Sequence, residues 1–376
     1  KIVVVTTGLN VGGAETLLLN LVKEWLKTGH NVTIFSLSDE CHLDKAFIEI
    51  GVKVKNYNLK CFSNFIPGLY KFCRDIRNLN PQVVQTWMPH ADLIGGVFSR
   101  FFLSANVCWG CHHSDLSLKS LKLSTLIIFR LNALLSYIIP NKIIGVSHHV
   151  KTQLQNYGFD KRKILVVENG INCEYFSRRV NAKATLTEEL KIDINTKIVG
   201  FVGRYSREKR PDIFLKLATE ISGDANPIHF VMVGSGNDKK NRELANLISI
   251  HNLESNISLL GVREDIPSIL SSLDVLVSTS VDEAFGLVLI EALACGCPCV
   301  SSNSEGVKSV GIDLIKYVDG ENINSYSEAV KAVFAQSDDE KESFFERSHH
   351  YVASQFNIEN SATKYIKAYK ELVGDQ

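Results

Sequence analysis

The chain has 376 residues, 45% apolar and 22% charged, which is the composition of a globular protein too long for one core, so about two domains are expected. No apolar run reaches the roughly 18 residues of a membrane span, so no transmembrane segment is predicted. Net charge is zero but unevenly spread: residues 1–178 hold 20 Lys or Arg against 12 Asp or Glu, the remainder 21 against 29, so the halves carry +8 and −8.

In chain order, Lys1-Ile-Val-Val-Val reads as a buried strand, without the charged, apolar and small-residue pattern of a secretory leader. Strands are predicted at 2–6, 32–36, 52–56, 83–86, 107–111, 143–146 and 164–168. After a polar stretch around Arg178 to Thr196 they resume at 198–202, 228–233, 257–260, 275–279 and 299–301. Runs of β-branched residues without alternation predict strands buried on both faces, hence parallel sheets with helices on each side. The helix over 14–27 places Leu17, Leu18, Leu21, Val22 and Trp25 on one face and stops at Gly29. A last helix spans about 358–372. The pattern predicts two Rossmann-like βαβ arrays facing a cleft, with ligands at the carboxyl ends of the strands.

The nine cysteines are odd in number and lack framework spacing, which predicts reduced thiols in a cytosolic setting. Cys108-Trp-Gly-Cys111 is formally C-x-x-C but reads as strand, and no second ligand pair accompanies it. Cys295-Gly-Cys-Pro-Cys299 reads as packing of a helix end against a strand. The apolar stretch from Ser117 to Ile139 reads as a core helix, with a membrane-surface helix or a groove for a lipid-linked acceptor as alternatives.

Several loops carry chemistry. Gly12-Gly13, after the first strand, lets backbone approach a phosphate at a helix start; it is not G-x-G-x-x-G, which weakens a nicotinamide reading. His90 and the pair His112 and His113 end strands in the first half, and the register admits either member of the pair. Arg204 and Lys209, in Gly-Arg-Tyr-Ser-Arg-Glu-Lys, leave a strand and approach a helix start at Pro211, where two cations can hold a diphosphate; Arg207 and Arg210 read as solvated. Val233-Gly-Ser-Gly236 and Leu260-Gly-Val-Arg-Glu-Asp-Ile-Pro267 are further strand-end loops. The stretch from Val277 to Val300 reads as strand, polar turn, helix and strand. It sets Glu283 before, and Glu291 within, a helix opened by Phe285, Gly286 and Leu287. Carboxylates on both sides of a helix N-terminus suit a ligand with phosphate in the middle and hydroxyls at each end, such as a nucleoside-diphosphate sugar. No Asp-x-Asp metal motif is present; Asp338-Asp339 reads as a solvated helix.

Glu283-Ala-Phe-Gly-Leu-Val-Leu-Ile-Glu291, continued by Ala-Leu-Ala-Cys-Gly-Cys-Pro298, resembles the E-x7-E signature of family 4 retaining glycosyltransferases of the GT-B fold. Gly203-Arg204 to Lys209 is similar to that family's G-R-x-x-x-x-K, Gly12-Gly13-Ala-Glu to its N-terminal loop, and Glu168-Asn-Gly-Ile-Asn172 to its turn between domains. The resemblance spans nearly the whole chain and is strongest from Gly200 to Ser301. It implies an α/β chain with an acceptor domain over 1–178, a nucleotide-sugar domain over 179–355 and a final helix, 356–376, crossing back onto the first domain.

It further implies retaining transfer from a nucleoside-diphosphate sugar to a hydroxyl of a glycan or polyprenyl-diphosphate-linked acceptor in polysaccharide or glycoconjugate synthesis, with UDP favoured over GDP and with neither cofactor nor metal. Arg204 and Lys209 would stabilise the leaving diphosphate. Glu283 would orient the sugar, Glu291 bind the ribose and His112 reach the transferred sugar. Gly12, Gly13, Gly234, Val262, Arg263, Ala284, Phe285, Gly286 and Leu287 would complete the donor site, with His90 and His113 on the acceptor side. The basic first half then fits an anionic membrane surface or pyrophosphate-linked acceptor, not nucleic acid, since it lacks a dense basic cluster with interleaved aromatics. A cytoplasmic or membrane-peripheral setting follows. The rival readings are a nucleotide-sugar epimerase of the same architecture and a non-catalytic sugar-binding subunit. The latter is expected to have lost Glu283, Lys209 or Arg204, all of which are present.

Overall fold

The computed structural model describes residues 1–10, 12–39, 42–103, 105–112, 123–223, 227–311 and 313–374. Two units emerge, one formed by residues 1–170 with 358–376 and the other by residues 171–357. His113 and the start of the apolar stretch, residues 117–122, lie outside the described residues.

The first unit is built on seven parallel strands: β1 (Ile2–Thr6), β2 (Val32–Ser36), β3 (Lys53–Asn56), β4 (Val83–Trp87), β5 (Asn106–Cys111), β6 (Lys142–Gly145) and β7 (Ile164–Val166). They lie in the order β3-β2-β1-β4-β5-β6-β7. Every residue of β1, β2 and β4 is buried, as strands covered on both faces require. The helix Gly13–Lys27 buries its predicted stripe, Leu17, Leu18, Leu21, Val22 and Trp25. It ends in a Schellman turn: Gly29 adopts φ 83°, its N–H reaches Leu26 O at 3.0 Å, and the N–H of His30 reaches Trp25 O at 2.9 Å. The last helix, Ile358–Val373, belongs to this unit. Its Tyr365 and Tyr369 rings lie 5.8 and 5.7 Å from Trp25, and the Tyr369 hydroxyl donates to the buried Gln85 amide oxygen at 2.8 Å.

The second unit holds six parallel strands: β8 (Lys197–Val202), β9 (Ile228–Val233), β10 (Ile257–Gly261), β11 (Val275–Ser278), β12 (Cys299–Ser302) and β13 (Ile315–Val318), in the order β10-β9-β8-β11-β12-β13. The edge strand β13 is the one strand not predicted: Ile-Lys-Tyr-Val buries only its first and last residues, and four residues without a clear alternation are too short a pattern to stand out. Cys295, Cys297 and Cys299 are buried where a helix meets β12. The helix Asp338–Gln355 starts with a Ser337–Glu340 capping box and docks on Leu287–Ala294, the Ser348 hydroxyl donating to Leu293 O at 2.9 Å.

The division between units falls at 170/171 and 357/358, not at the expected 178/179 and 355/356. Residues 171–178 are tied to the second unit by hydrogen bonds that composition does not reveal. Ile171 N–H donates to Phe356 O at 2.8 Å, Tyr175 Oη to Glu264 O at 2.7 Å, and Arg178 pairs with Glu342 at 2.5 Å.

Candidate functional site

In each sheet the strand order reverses direction beside one strand, β1 next to β4 in the first unit and β8 next to β11 in the second. Crevices at the carboxyl ends of such switch points are where open parallel sheets take ligands. The predicted residues cluster at these two ends.

In the second unit, the loop after β8 is laced to its neighbours by backbone. Gly203 N–H donates to Val233 O at 2.9 Å, Asn237 Nδ2 donates to Gly203 O at 2.7 Å, and Gly234 N–H donates to Gly261 O at 2.7 Å. Gly234 stands at φ 123°, and a Cβ there would lie 2.2 Å from Gly203 O, so the strand ends can approach this closely only with glycine. The chain then makes a tight turn over Arg207–Lys209, and Pro211 opens the following helix. The end of β11 clamps this turn: the Thr279 hydroxyl donates to Lys209 O at 2.7 Å and Val281 N–H to Glu208 O at 3.0 Å.

The clamp brings Lys209 to Glu283, and the two form a largely shielded ion pair. The Glu283 carbonyl presses on Gly306, where a Cβ would fall 1.4 Å from the oxygen. Gly286, at φ 89°, caps the helix Leu287–Ala294, one residue later than predicted, because its left-handed backbone turns the chain into the helix. Gly286 has no side chain with which to cap this helix, whose start carries backbone N–H groups and the positive end of the helix dipole. Phe285 is buried beneath it, edge-on to Phe356 at 5.5 Å. One turn along, burial pushes the Glu291 carboxyl up to about 7, opposed by the nearby charge of Lys209. Lys209 therefore serves both glutamates, one by direct pairing and one through its field.

Other predicted residues stand differently. The Arg204 side chain is 68% exposed and pairs with Glu208 at 2.7 Å, turned outward instead of toward Lys209. Arg210, read as solvated, is held by Asp212 at 3.0 Å and Glu321 at 3.3 Å. The Arg263 guanidinium is bound to Asp265 at 2.8 Å and Glu189 at 2.6 Å, so its backbone and that of the exposed Val262 are what the loop offers a ligand.

In the first unit, Gly12 is the extended N-cap of the helix at Gly13, accepting from Thr16 N–H at 2.9 Å. His112, just past β5, stacks on Trp87 at the end of β4 with ring centroids 3.7 Å apart. Met88 follows at φ 83°, a backbone region uncommon for a side-chain-bearing residue, and turns the chain into the short helix Pro89–Ala91 that carries His90. Burial holds the His90 imidazole below its ordinary value, and Lys60 adds to this. Next to it Asp92 is buried, its carboxyl pushed well up, 2.5 Å from the Thr86 hydroxyl.

Sequence reasoning missed Thr279, Glu208, Gly306 and Trp87. Thr279 and Glu208 act through backbone or side-chain contacts between segments far apart in sequence. Gly306 follows a Ser-rich turn and Trp87 ends a strand; neither carries a local signal of its role. Among the described residues no three His, Cys, Asp or Glu side chains are grouped as metal ligands, and no helix is long and apolar enough to cross a membrane.

The comparisons agree with this geometry. The family model described as "Glycosyltransferase Family 4" matches residues 11–175 and that described as "Glycosyl transferases group 1" matches residues 182–350, one to each sheet. The chain is 25% identical over 240 residues to the D-inositol 3-phosphate glycosyltransferase of Mycobacterium marinum, covering 62% of this chain and 50% of that one. It is 37% identical over 154 residues to the Escherichia coli UDP-Gal:alpha-D-GlcNAc-diphosphoundecaprenol alpha-1,3-galactosyltransferase, covering 39% of this chain and 38% of that one. In both pairings the match spans half or less of the relative's own length. The crystal structure of Anabaena HepE in complex with UDP and glucose shares the fold, with TM-score 0.86 at 18% identity over 98% of this chain and 99% of that one. Two parallel-sheet units, each matched by one of the two family models, place the chain among the family 4 glycosyltransferases of GT-B fold, and it belongs to that family.

Proposed function

We propose that the protein is a retaining glycosyltransferase that moves a sugar from a nucleoside-diphosphate sugar, UDP favoured, to a hydroxyl of a glycan or polyprenyl-diphosphate-linked acceptor. The carrying observation is the Lys209–Glu283 pair beside the glycine-capped helix start at Leu287, with Glu291 one turn along. Loss of a nucleoside diphosphate from an anomeric carbon leaves positive charge on the sugar and negative charge on the β-phosphate. Lys209 and the first-turn N–H groups answer the second without a metal. Arg204, on its exposed arm, swings from Glu208 to the diphosphate when donor binds. Glu283 orients sugar hydroxyls and the developing oxocarbenium ion, while Glu291 accepts from the ribose.

Gly234, Val262, Arg263, Ala284, Phe285 and Gly286 complete the donor site through backbone. In the first unit Gly12 and Gly13 meet phosphate, His112 contacts the sugar and His90 stands on the acceptor side. Retention follows from front-face attack, with the leaving phosphate taking the acceptor's proton. Support for UDP comes from HepE, a structural neighbour crystallised with UDP and glucose, and the Escherichia coli relative supports a lipid-diphosphate acceptor. The reaction is placed in polysaccharide or glycoconjugate assembly at the cytoplasmic face of a membrane.

Calorimetric titration with UDP, GDP and NAD, repeated on Lys209→Ala and Arg204→Ala, tests the donor site. UDP binding that both substitutions weaken is expected. A folded protein that binds no nucleotide would overturn the reading.

A further inference from the structure

The amino ends of β8, β11 and β12, neighbours in the second sheet, border a cavity of about 130 Å³. Lys197 opens β8, Leu273 and Asp274 precede β11, and Pro298 precedes β12. The loops that carry Gly203, Thr279 and Glu283 leave the opposite, carboxyl ends of the same sheet. Strands of four to six residues at about 3.3 Å each set roughly 13–20 Å between the two ends. The cavity is therefore separate from the donor loops, and nothing in their chemistry accounts for it.

Its walls carry three cations, Arg178, Lys197 and Lys341, and one acid, Asp274. Asp274 is already engaged: one oxygen accepts from Lys183 Nζ at 2.7 Å and from Ile198 N–H at 2.8 Å, which leaves Lys197 3.5 Å from the other. Arg178 and Lys341 pair outward with Glu342, 56% exposed, and Asp338, 99% exposed. Ion pairs in water contribute little, so both cations can turn to an anion in the cavity at small cost. Arg178 and Lys197 also lie against aromatic rings, 5.0 Å from the Phe345 centroid and 5.8 Å from that of Phe334, as cations short of carboxylates do. Three helices end around the cavity, at Ser272, Ala294 and Phe334, and their negative dipole ends are the other candidates for this charge. Their last turns are bonded within the chain, however: Leu293 O accepts from Gly296 N–H at 3.1 Å and Ser348 Oγ at 2.9 Å, and Val333 O from Gln336 N–H at 3.2 Å. The Cys295 thiol adds no negative charge, since burial pushes it up to about 12. The wall keeps a surplus of positive charge.

An acceptor stands beside it. Gln336 lines the cavity, and its amide oxygen is buried with no hydrogen-bond partner among the described residues. Buried polar atoms rarely stay unpaired, and a hydroxyl on a ligand would satisfy this one. Val333 and Leu273 supply apolar contact for a few carbon atoms. A cavity of about 150 Å³ holds benzene, so the space here suits a phosphate on a short carbon chain and is too small for a nucleotide. We infer that this cavity is a second ligand site, for a small hydroxylated phosphate monoester. The phosphate meets Arg178, Lys197 and Lys341, and a hydroxyl donates to Gln336.

The test is calorimetric titration of the full chain with glycerol 3-phosphate, inorganic phosphate and glycerol, without UDP, so that the result stands apart from the donor reading. Glycerol 3-phosphate is expected to bind, inorganic phosphate to bind more weakly, and glycerol not to bind. Lys197→Met and Arg178→Gln should each weaken both anions about ten-fold, the loss of one charge-assisted contact. Gln336→Leu should bring glycerol 3-phosphate down to the affinity of inorganic phosphate and leave the latter as in the parent. Lys209→Ala, at the other end of the sheet, should change none of these. Circular dichroism melts report the fold of each variant, and the half-exposed Arg178 supplies a folded variant even if Lys197→Met disturbs Asp274. A folded parent that binds neither anion would overturn the inference. So would binding that Lys209→Ala abolishes and the two cavity cations do not affect, since the anion would then sit among the donor loops. Equal affinity for the two anions in the parent would refute the hydroxylated ester as the ligand.

Discussion

Glu291 offers the sharpest measurement. Its carboxyl is raised from an ordinary 4.5 to about 7 because burial disfavours the anion more than Lys209 favours it. Below pH 4.5 folded and unfolded chains both carry the proton, and this group has no effect on stability. Between 4.5 and about 7 the unfolded chain has released it while the folded chain still holds it, so unfolding releases a proton and stability falls as pH rises. Above about 7 both forms are ionised and the full penalty is in place. At about 1.4 kcal/mol per pH unit the penalty reaches about 3 kcal/mol by pH 8. Glu291→Gln keeps the shape and removes the titration. Urea unfolding followed by circular dichroism at pH 5 and pH 8 should show the variant less sensitive to that pH change than the parent, by about 3 kcal/mol. Equal pH dependence in the two proteins would refute the raised carboxyl at this position.

Lys209→Met should destabilise the protein by about 2 kcal/mol, less than for a fully buried pair because both partners retain some accessibility, and Lys209→Met with Glu283→Gln should recover part of that loss. Denaturant midpoints of Lys209→Met, Glu283→Gln and the double variant close this cycle, and strictly additive effects would show that the pair is not coupled. The same lysine substitution removes the charge that opposes the rise at Glu291, so the pH range over which stability falls should extend upward. Gly306→Ala must displace the Glu283 carbonyl, and about 2 kcal/mol of destabilisation with weakened UDP binding is expected in thermal melts and calorimetry. An unchanged melting temperature would mean that this loop is not pinned at Gly306.

The sequence by itself determined the architecture. Runs such as Ile2–Thr6 and Ile228–Val233 carry no alternation and can only be strands covered on both sides, which forces parallel sheets and crossover helices. It also singled out Lys209, Glu283 and Glu291 as candidates, because they stand beside strand ends and helix starts, whose chemistry is set locally. Tertiary structure decided how these residues are used. That Lys209 pairs with Glu283 depends on Thr279 gripping a turn 70 residues earlier, and that Arg204 turns outward depends on Glu208 reaching it first. Whether the apolar helix after residue 122 faces the core or the outside was likewise open. Asn132 donates to Pro89 O and Ser136 accepts from Asp160 N–H on the buried side, so the aliphatic side chains are left on the outer face. Propensity and spacing act over a few residues and can be read from the chain. Partners brought together by folding are separated by many residues, and only the fold sets which of several equivalent groups arrives.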